Sequence, residues 1–441
     1  MSLRILVIDN MGLALDWCLR CQADNHRVKW FIRQTPKTDK IGRGLVEIVP
    51  SWQDWVRWAD LILVTDNTRY LYELDGIRRT FPEARIIAPT QALADWELQR
   101  TVGMKVLQKH GIEVPAYKEF SDYDSAISYV RREGRAFVSK PCGDEPDKSL
   151  SYVAKSPADL IFMLNRWKKS QRHKGNFILQ EKVKGVEFAV GGWFGPGGFN
   201  DGWHENFEHK KLMAGDMGPN TGEAGTVMRV IKKSKLADQV LVPLTETLEK
   251  LGYVGYIDVN CIIDEDGKAW PLEFTSRFGW PMFNLQQALH EGDHAEWLVN
   301  LADGRDSHNW RLNEVATCVV AATGDYPFSH ITKKEVTGIP IYGLKESILP
   351  NIHPCEIMQG EAPHDVNGKV VTLPCWVTAG DYVLVASGTG ETVTQSRQKV
   401  YRVLDSISMP NSPFWRNDIS RRLSKELPLL QAQGYASGMR Y

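Results

Sequence analysis

Cysteine is scarce in this chain of 441 residues and poorly spaced for chemistry: seven thiols are scattered along it, and only Cys18 and Cys21, in LDWCLRCQAD, form a C-x-x-C. No second pair completes the four-ligand pattern of a structural zinc site, so these two thiols read as small hydrophobes on an early helix. A surplus of one charge is also missing. Lys and Arg number 53 against 54 acidic residues, a net charge of −1, which argues against a general nucleic-acid or membrane-surface binder and leaves room only for a local basic patch. No run approaches the ~18 apolar residues of a membrane helix. The start, MSLRILVIDN, enters an apolar strand without the charged and apolar regions of a secretory signal. With so few thiols, the expected compartment is reducing and cytoplasmic. Internal repeats and low-complexity linkers are likewise absent.

What is present is an alternation of strand and helix. LRILVID, RVKWFI, DLILVTD and ARIIAPT read as strands, the first a continuous apolar run as in a parallel sheet covered on both faces. LALDWCLRCQA and LYELDGIRRTF have helical periodicity, so residues 1–95 are expected to form a doubly wound α/β domain. The loop after the first strand, DNMGLAL, has one glycine and no dinucleotide fingerprint. ADWELQRTVGMKVLQKHG then reads as one amphipathic helix closed by Gly111. A segment of α+β character, about 115–190, holds the strands RAFVSKP, SLSYVA and NFILQEKV around the helix ADLIFMLNRWKKSQ. It belongs to a second domain, 96–305, whose later part reads as a mixed sheet. Residues 306–441 change to short strands with turn signals, a β-rich third domain.

Several segments carry side chains suited to chemistry. Lys140 lies at the end of the strand FVSKP and Lys148 starts the next strand after the polar, turn-rich stretch in PCGDEPDKS, so the two flank a hairpin that could clamp a polyphosphate, although paired lysines are usually solvated. LQEKVKGVEF offers a strand edge at Gln180, Glu181 and Val183 for the hydrogen-bonding edge of a purine. Glu187 beyond it is placed for ribose hydroxyls; the plain alternative is a strand end with an exposed glutamate. GDMGPNTGEAGTV, residues 215–227, reads as a long glycine-rich loop, either a surface turn or a bare backbone that approaches a ligand. In GYIDVNCIIDEDGKAWPLEFTSRFG two strands flank the turn DEDG, a hairpin signal. Asp258 and Asn260 share one face of the first strand, Glu273 and Thr275 one face of the second, and Mg²⁺ seeks such oxygens together with phosphates. Arg277 follows, its planar fork suited to a carboxylate or phosphate. A half-exposed hairpin with a polar outer face is the competing reading.

The order of these parts resembles the ATP-grasp superfamily and, within it, phosphoribosylamine–glycine ligase. EHKKLMAGDMGPNTGEAGT is similar to D-H-K-R…G-D-x-G-P-N-T-G-G-M-G, LEFTSRFGWP to L-E-F-N-x-R-F-G-D-P-E, and TGDYP and FWRNDISRRL to G-G-Y-P and R-x-D-I-G-x-R. The resemblance covers nearly the whole chain. It implies a pre-ATP-grasp domain at 1–95, an ATP-grasp domain at 96–305 with a mobile lid, and a β-rich C-terminal domain. It also implies ATP and Mg²⁺ (or Mn²⁺) as cofactors, small-molecule acid and amine substrates, and a monomer or homodimer. The implied activity joins a carboxylate to an amine through an acyl phosphate. Lys140, Lys148, Arg100 and Lys210 would contact the phosphates, Glu181 and Val183 (beside Gln180) adenine, and Glu187 the ribose. Glu273 would bind the metal, with Asp258 as a second carboxylate and Thr275 and Asn260 beside them. Asp216, Gly218, Asn220, Thr221 and Arg277 would face the acceptor and the acyl phosphate; the catalytic group among these would be Lys148, Arg277, Asp216 and Asn220.

The chain also departs from that pattern. Arg100 stands where the family usually has lysine, Thr275 where it has a metal-binding asparagine, and Trp280 and Met282 where it has aspartate and glutamate. DNMGLALD replaces G-N-G-G-R-E-H-A, and VTDNTRYL replaces V-G-P-E-x-P-L, both on the acceptor side. The expectation is therefore a ligase with altered acceptor specificity. A genuine phosphoribosylamine–glycine ligase and a non-catalytic nucleotide-binding paralogue are the alternatives.

Overall fold

The computed structural model describes residues 2–143, 150–171, 175–305, 309–328, 333–410 and 413–441. Near the N-terminus, β1 (Arg4–Asp9), β2 (Arg27–Ile32), β3 (Glu47–Ile48), β4 (Leu61–Val64) and β5 (Ile86–Ile87) form a parallel sheet in the order β3-β2-β1-β4-β5. The apolar run in β1 has the expected cause: Ile5 and Val7 enter one hydrophobic cluster, Leu6 and Ile8 another. Strand order reverses between β1 and β4, which leaves a crevice outside their C-terminal ends.

The amphipathic helix expected after this sheet is two helices, Gln91–Leu98 and Arg100–Lys109, broken at Gln99 (φ −102°, ψ 87°). The second folds tightly back on the first: a Cβ on Gly103 would lie 2.3 Å from the Trp96 carbonyl oxygen. The break makes Arg100 the first residue of a new helix.

A small antiparallel sheet follows, made of β6 (Tyr117–Phe120), β7 (Phe137–Pro141), β8 (Tyr152–Val153) and β9 (Phe177–Glu181) in the order β6-β9-β7-β8. Helices Tyr123–Glu133 and Pro157–Ser170 back it, each with an N-cap side chain, Asp122 and Ser156, that accepts from the third helical N–H. Phe120, Val130, Phe137, Leu164, Trp167 and Phe177 give this unit a core of its own.

The largest sheet joins β10 (Val186–Gly195), β11 (Gly198–Phe199), β12 (Trp203–Met213), β13 (Met217–Ile231), β14 (Gly255–Ile263), β15 (Ala269–Thr275), β16 (Val315–Ala322) and β17 (Ile352–Pro354). A projecting hairpin, β18 (Ile357–Val366) and β19 (Lys369–Thr378), interrupts it before β20 (Tyr382–Gly390). The order is β15-β14-β10-β12-β13-β16-β20-β17, with β11 against β10. The glycine-rich run differs from the loop expected of it. Its residues from Met217 onward belong to β13, paired with β12, and only Ala214–Asp216 form the tip. Gly215 in that tip and Gly218 near the start of β13 have φ of +70° and +78°, and Gly225 lets β16 approach, since a Cβ there would meet the Cys318 carbonyl oxygen at 2.5 Å. Glycine serves close strand packing as much as flexibility. Among the described residues, no helix is long and apolar enough to cross a membrane.

Candidate active site

Strand register gathers polar side chains on one face of the large sheet. In β14 and β15, Asp258 lies opposite Thr275 and Asn260 opposite Glu273, as the hairpin reading expected. On the other side of β14, Gly191 of β10 faces Asp258 and Ala189 faces Asn260, while Ala189 also faces Asn206 of β12. Because side chains alternate with period two, Glu187, Asn206, Glu208, Asp258, Asn260, Glu273 and Thr275 share that face. The sequence WHENFEHKK contains the signal for the β12 part: His204, Asn206, Glu208 and Lys210 recur at every second position. Asn206, Glu208 and the neighbouring Glu223 were not singled out from sequence. Polar residues in a strand usually mark its solvent side, yet their exposures are only 0%, 5% and 8%.

Three cations meet this face. Arg100 Nη1 lies 2.6 Å from Glu273 Oε2, and its Nε donates to the Pro141 carbonyl at 2.9 Å, tying the broken helix to the end of β7. Lys210 Nζ reaches Glu187 at 2.7 Å, Glu208 at 3.1 Å and Glu273 at 3.3 Å. Lys140, a buried residue at the end of β7, donates to the Leu272 carbonyl at 3.4 Å. Burial chiefly lowers its pKa to about 8, with Glu273 opposing and Arg100 and Lys210 reinforcing. For Glu273, burial disfavours charge, but Lys210, Arg100 and Lys140 outweigh it and hold the carboxyl well below its usual range. Lys210 is held well above the ordinary lysine range: burial opposes its charge, and Glu187, Glu208 and Glu273 overcome that.

Asp258 looks the other way. Its Oδ2 accepts from Asn206 at 3.0 Å and Tyr256 at 3.3 Å, on the side of β14 away from β15. Burial, then repulsion from Glu208, pushes it well above the carboxylate range, and the same two causes act on Glu223. Asn260 Nδ2 donates to Glu208 Oε1 at 3.0 Å and links the two groups.

Other sequence-selected residues fall around this centre. Lys148 lies outside the described residues. Gln180 and Glu181 are not at a sheet edge: β9 is flanked by β6 and β7, and the Glu181 N–H already donates to the Ala116 carbonyl at 2.8 Å. The chain leaves the sheet only at residues 182–185, so Val183 lies in the connection between β9 and β10. Asn220 donates to the Ser151 carbonyl at 3.0 Å, joining the β12–β13 hairpin to the small sheet's unit, and Thr221 donates to the Lys210 carbonyl at 2.9 Å. Asp216 is not turned inward; it pairs with Arg416 at 2.8 Å at the exposed tip, beside Gly218. Arg277 lies beyond β15, 3.2 Å from Glu97. Glu97 also accepts from Asn67 at 2.8 Å and from the Ser276 N–H at 2.8 Å, which connects this end of the site to the loop after β4.

Comparison with known proteins bears on the chain's family and fold. The family described as phosphoribosylglycinamide synthetase, ATP-grasp (A) domain, matches residues 100–282. The phosphoribosylamine–glycine ligase of Salmonella typhimurium is 25% identical over 464 residues, covering 95% of this chain and 98% of that protein. The bifunctional purine biosynthetic protein PUR2,5 of Pichia angusta is 27% identical over 376 residues; the match covers 80% of this chain but only 44% of the Pichia protein. The crystal structure of phosphoribosylamine–glycine ligase from Thermotoga maritima superposes with a TM-score of 0.71 at 19% identity, covering 94% of this chain and 99% of that one, a likeness of fold. The chain belongs with the ATP-grasp proteins that resemble phosphoribosylamine–glycine ligase, and it is an ATP-dependent ligase.

Proposed function

We propose that the chain joins a small carboxylic acid to an amine, by way of an acyl phosphate, with an acceptor other than phosphoribosylamine. The observation that carries this reading is the convergence of Arg100, Lys140 and Lys210 on Glu187 and Glu273, from three separate parts of the fold. In the proposed reaction a carboxylate oxygen attacks the γ-phosphorus of ATP and the bond to the β-phosphate oxygen breaks, leaving ADP. The amine nitrogen then attacks the acyl carbon, and phosphate departs with the electrons of its C–O bond. No nucleophile from the protein is required; its groups position the reactants and neutralise charge.

Within this reading Lys140, Lys210, Arg100 and, from outside the described residues, Lys148 hold the phosphates. The backbone beyond β9, at residues 182 and 183, would meet adenine, and Glu187 would hold the ribose. The oxygen donors suit Mg²⁺: Asn260 stands opposite Glu273, Thr275 one pair further along, and Asn260 Oδ1 is buried without a hydrogen-bond partner among the described residues. Among those residues no three His, Cys, Asp or Glu side chains converge as a metal cage, in keeping with an ion that draws most oxygens from phosphate and water. Mg²⁺ there would offset phosphate charge. Asp258, whose hydrogen bonds run away from Glu273, has a different role in this scheme.

Altered acceptor specificity is supported by the loop after β1. The Asp9 carboxylate accepts from the N–H groups of Met11, Gly12 and Ala14 at 2.9, 2.8 and 2.8 Å. Amides that could cradle a phosphate at the start of the following helix are therefore occupied by the chain's own anion. Incubation with ATP, Mg²⁺ and panels of acid–amine pairs, with ADP release as readout, tests the proposal. Turnover with phosphoribosylamine and glycine above all other pairs would reject the altered acceptor, and tight ATP binding without turnover on any pair would favour a non-catalytic role.

A further inference from the structure

Glu223 and Asp258 lie among neutral donors. Asp258 is bonded by Asn206 and Tyr256, and Glu223 by the Thr226 hydroxyl, while Lys210 is engaged with Glu187, Glu208 and Glu273. Asn206 Oδ1 and Asp258 Oδ1 have no hydrogen-bond partner among the described residues, although both residues are fully buried. Buried acceptors left open mark a place where a donor belongs. Between Asn206 and Asp258 runs β10, whose residues there are Ala189 and Gly191. A Cβ on Gly191 would fall 2.0 Å from the Tyr256 hydroxyl and 3.0 Å from Asp258 Oδ2, so only glycine lets these two side chains lie across β10 towards Asn206.

We propose that Asn206, Glu208, Glu223 and Asp258 hold the protonated amine of the acceptor substrate, an organic ammonium group, an assignment that rests on the ligase reading above. The ammonium supplies N–H donors for the two open oxygens and charge for the carboxylates. The walls favour an organic cation over Mg²⁺. Met282 Sδ lies 3.3 Å from Asn206 Nδ2 and 3.4 Å from the Tyr256 hydroxyl, so a thioether and a phenol border the carboxylates. Magnesium keeps several waters and an octahedral shell, for which such a lining is unsuited. The Asn260–Glu208 hydrogen bond puts this cluster next to the Glu273 group, where the ammonium, after giving one proton to a carboxylate of the cluster, would meet the activated acid as a free amine.

The test titrates propylammonium chloride into the full-length protein by calorimetry, against potassium chloride of equal ionic strength. Saturable binding is expected in the wild type and in Glu273→Gln, and roughly tenfold or greater weakening in Glu223→Gln and Gly191→Ala. The near-isosteric Glu223→Gln keeps the test available if Gly191→Ala does not fold. Absence of saturable binding, or equal affinity in Glu223→Gln and wild type, overturns the proposal. So does a Mn²⁺ site, seen by electron paramagnetic resonance with the metal alone, that is lost in Glu223→Gln and kept in Glu273→Gln. A separate titration of the wild type with Mg²⁺ and a non-hydrolysable ATP analogue reads the ligase proposal independently: its failure would reject nucleotide binding, whatever the ammonium result.

Discussion

Arg100 and Glu273, 173 positions apart in the chain, meet at 2.6 Å. One begins a helix after a break, the other sits in β15 opposite Asn260, and Lys210 from β12 closes the group at 3.3 Å from the same glutamate. Each partner therefore depends on a different element, and the charge balance of the site is a property of the folded state.

Replacing Glu273 with Gln leaves Arg100, Lys140 and Lys210 close together without their shared anion. ADP formation is expected to fall at least about a hundredfold, the scale of losing a preorganised charge group in a closed site. Melting temperature should drop by a few degrees. Turnover at the wild-type rate would overturn the role given to this carboxylate.

Lys140, with a pKa of about 8 set mainly by burial, loses its charge within the working pH range. Below that value it is an ammonium that can meet phosphate; above it, it is a neutral amine. kcat/KM for ATP, which reports the free enzyme, is expected to decline above about pH 8. Lys140→Met should show low kcat/KM without that limb. A wild-type profile flat to pH 9.5 would contradict the assignment.

Glu356 carries a stability signature of the opposite kind. Burial, then repulsion from Asp381, raises its pKa to about 7, against an ordinary value of 4.5. The native state then holds a proton that the unfolded chain has released, so this contribution is complete below pH 4.5 and is lost as pH rises through 7. Glu356→Gln should flatten the fall in denaturant stability between pH 5 and 8 relative to wild type. Parallel curves would reject this.

Asp16 joins three parts of the molecule: Arg20 at 2.8 Å, His353 of β17 at 2.7 Å, and Asn284 at 3.2 Å. Burial opposes its charge, but Arg20 and His353 hold it well below the usual carboxylate range. Asp16→Ala should cost about 3 kcal/mol in a urea titration, the scale of removing one partner from a buried charged pair. A change within ~0.5 kcal/mol would place it with ordinary surface substitutions.

Arg416 holds the tip of the β12–β13 hairpin through Asp216 at 2.8 Å and the Lys211 carbonyl at 3.0 Å. Arg416→Ala should speed amide hydrogen exchange at residues 212–218 without affecting β1. Unchanged exchange would show that other contacts set the tip.

The alternation of apolar strands and helices, the DEDG hairpin and the pairing of Asp258, Asn260, Glu273 and Thr275 on one face were all readable, because each follows from local periodicity or turn chemistry. The β12–β13 segment was misread for a physical reason: a glycine's φ freedom and a glycine's lack of a side chain look alike in sequence, and Gly225 is used for the second. The interior place of β9 was equally hidden, since β6 contributes a short, polar strand, YKEF, with little pattern of its own.

Residue types and their spacing along each strand marked which side chains carry charge and which of them share a face. Which cation meets which carboxylate was settled by folding: the turn at Gln99 aims Arg100, and the β10–β12–β14 register sets Asn206 beside Asp258. Pairing between strands far apart in the chain leaves no local mark, because backbone hydrogen bonds are the same for every residue except proline.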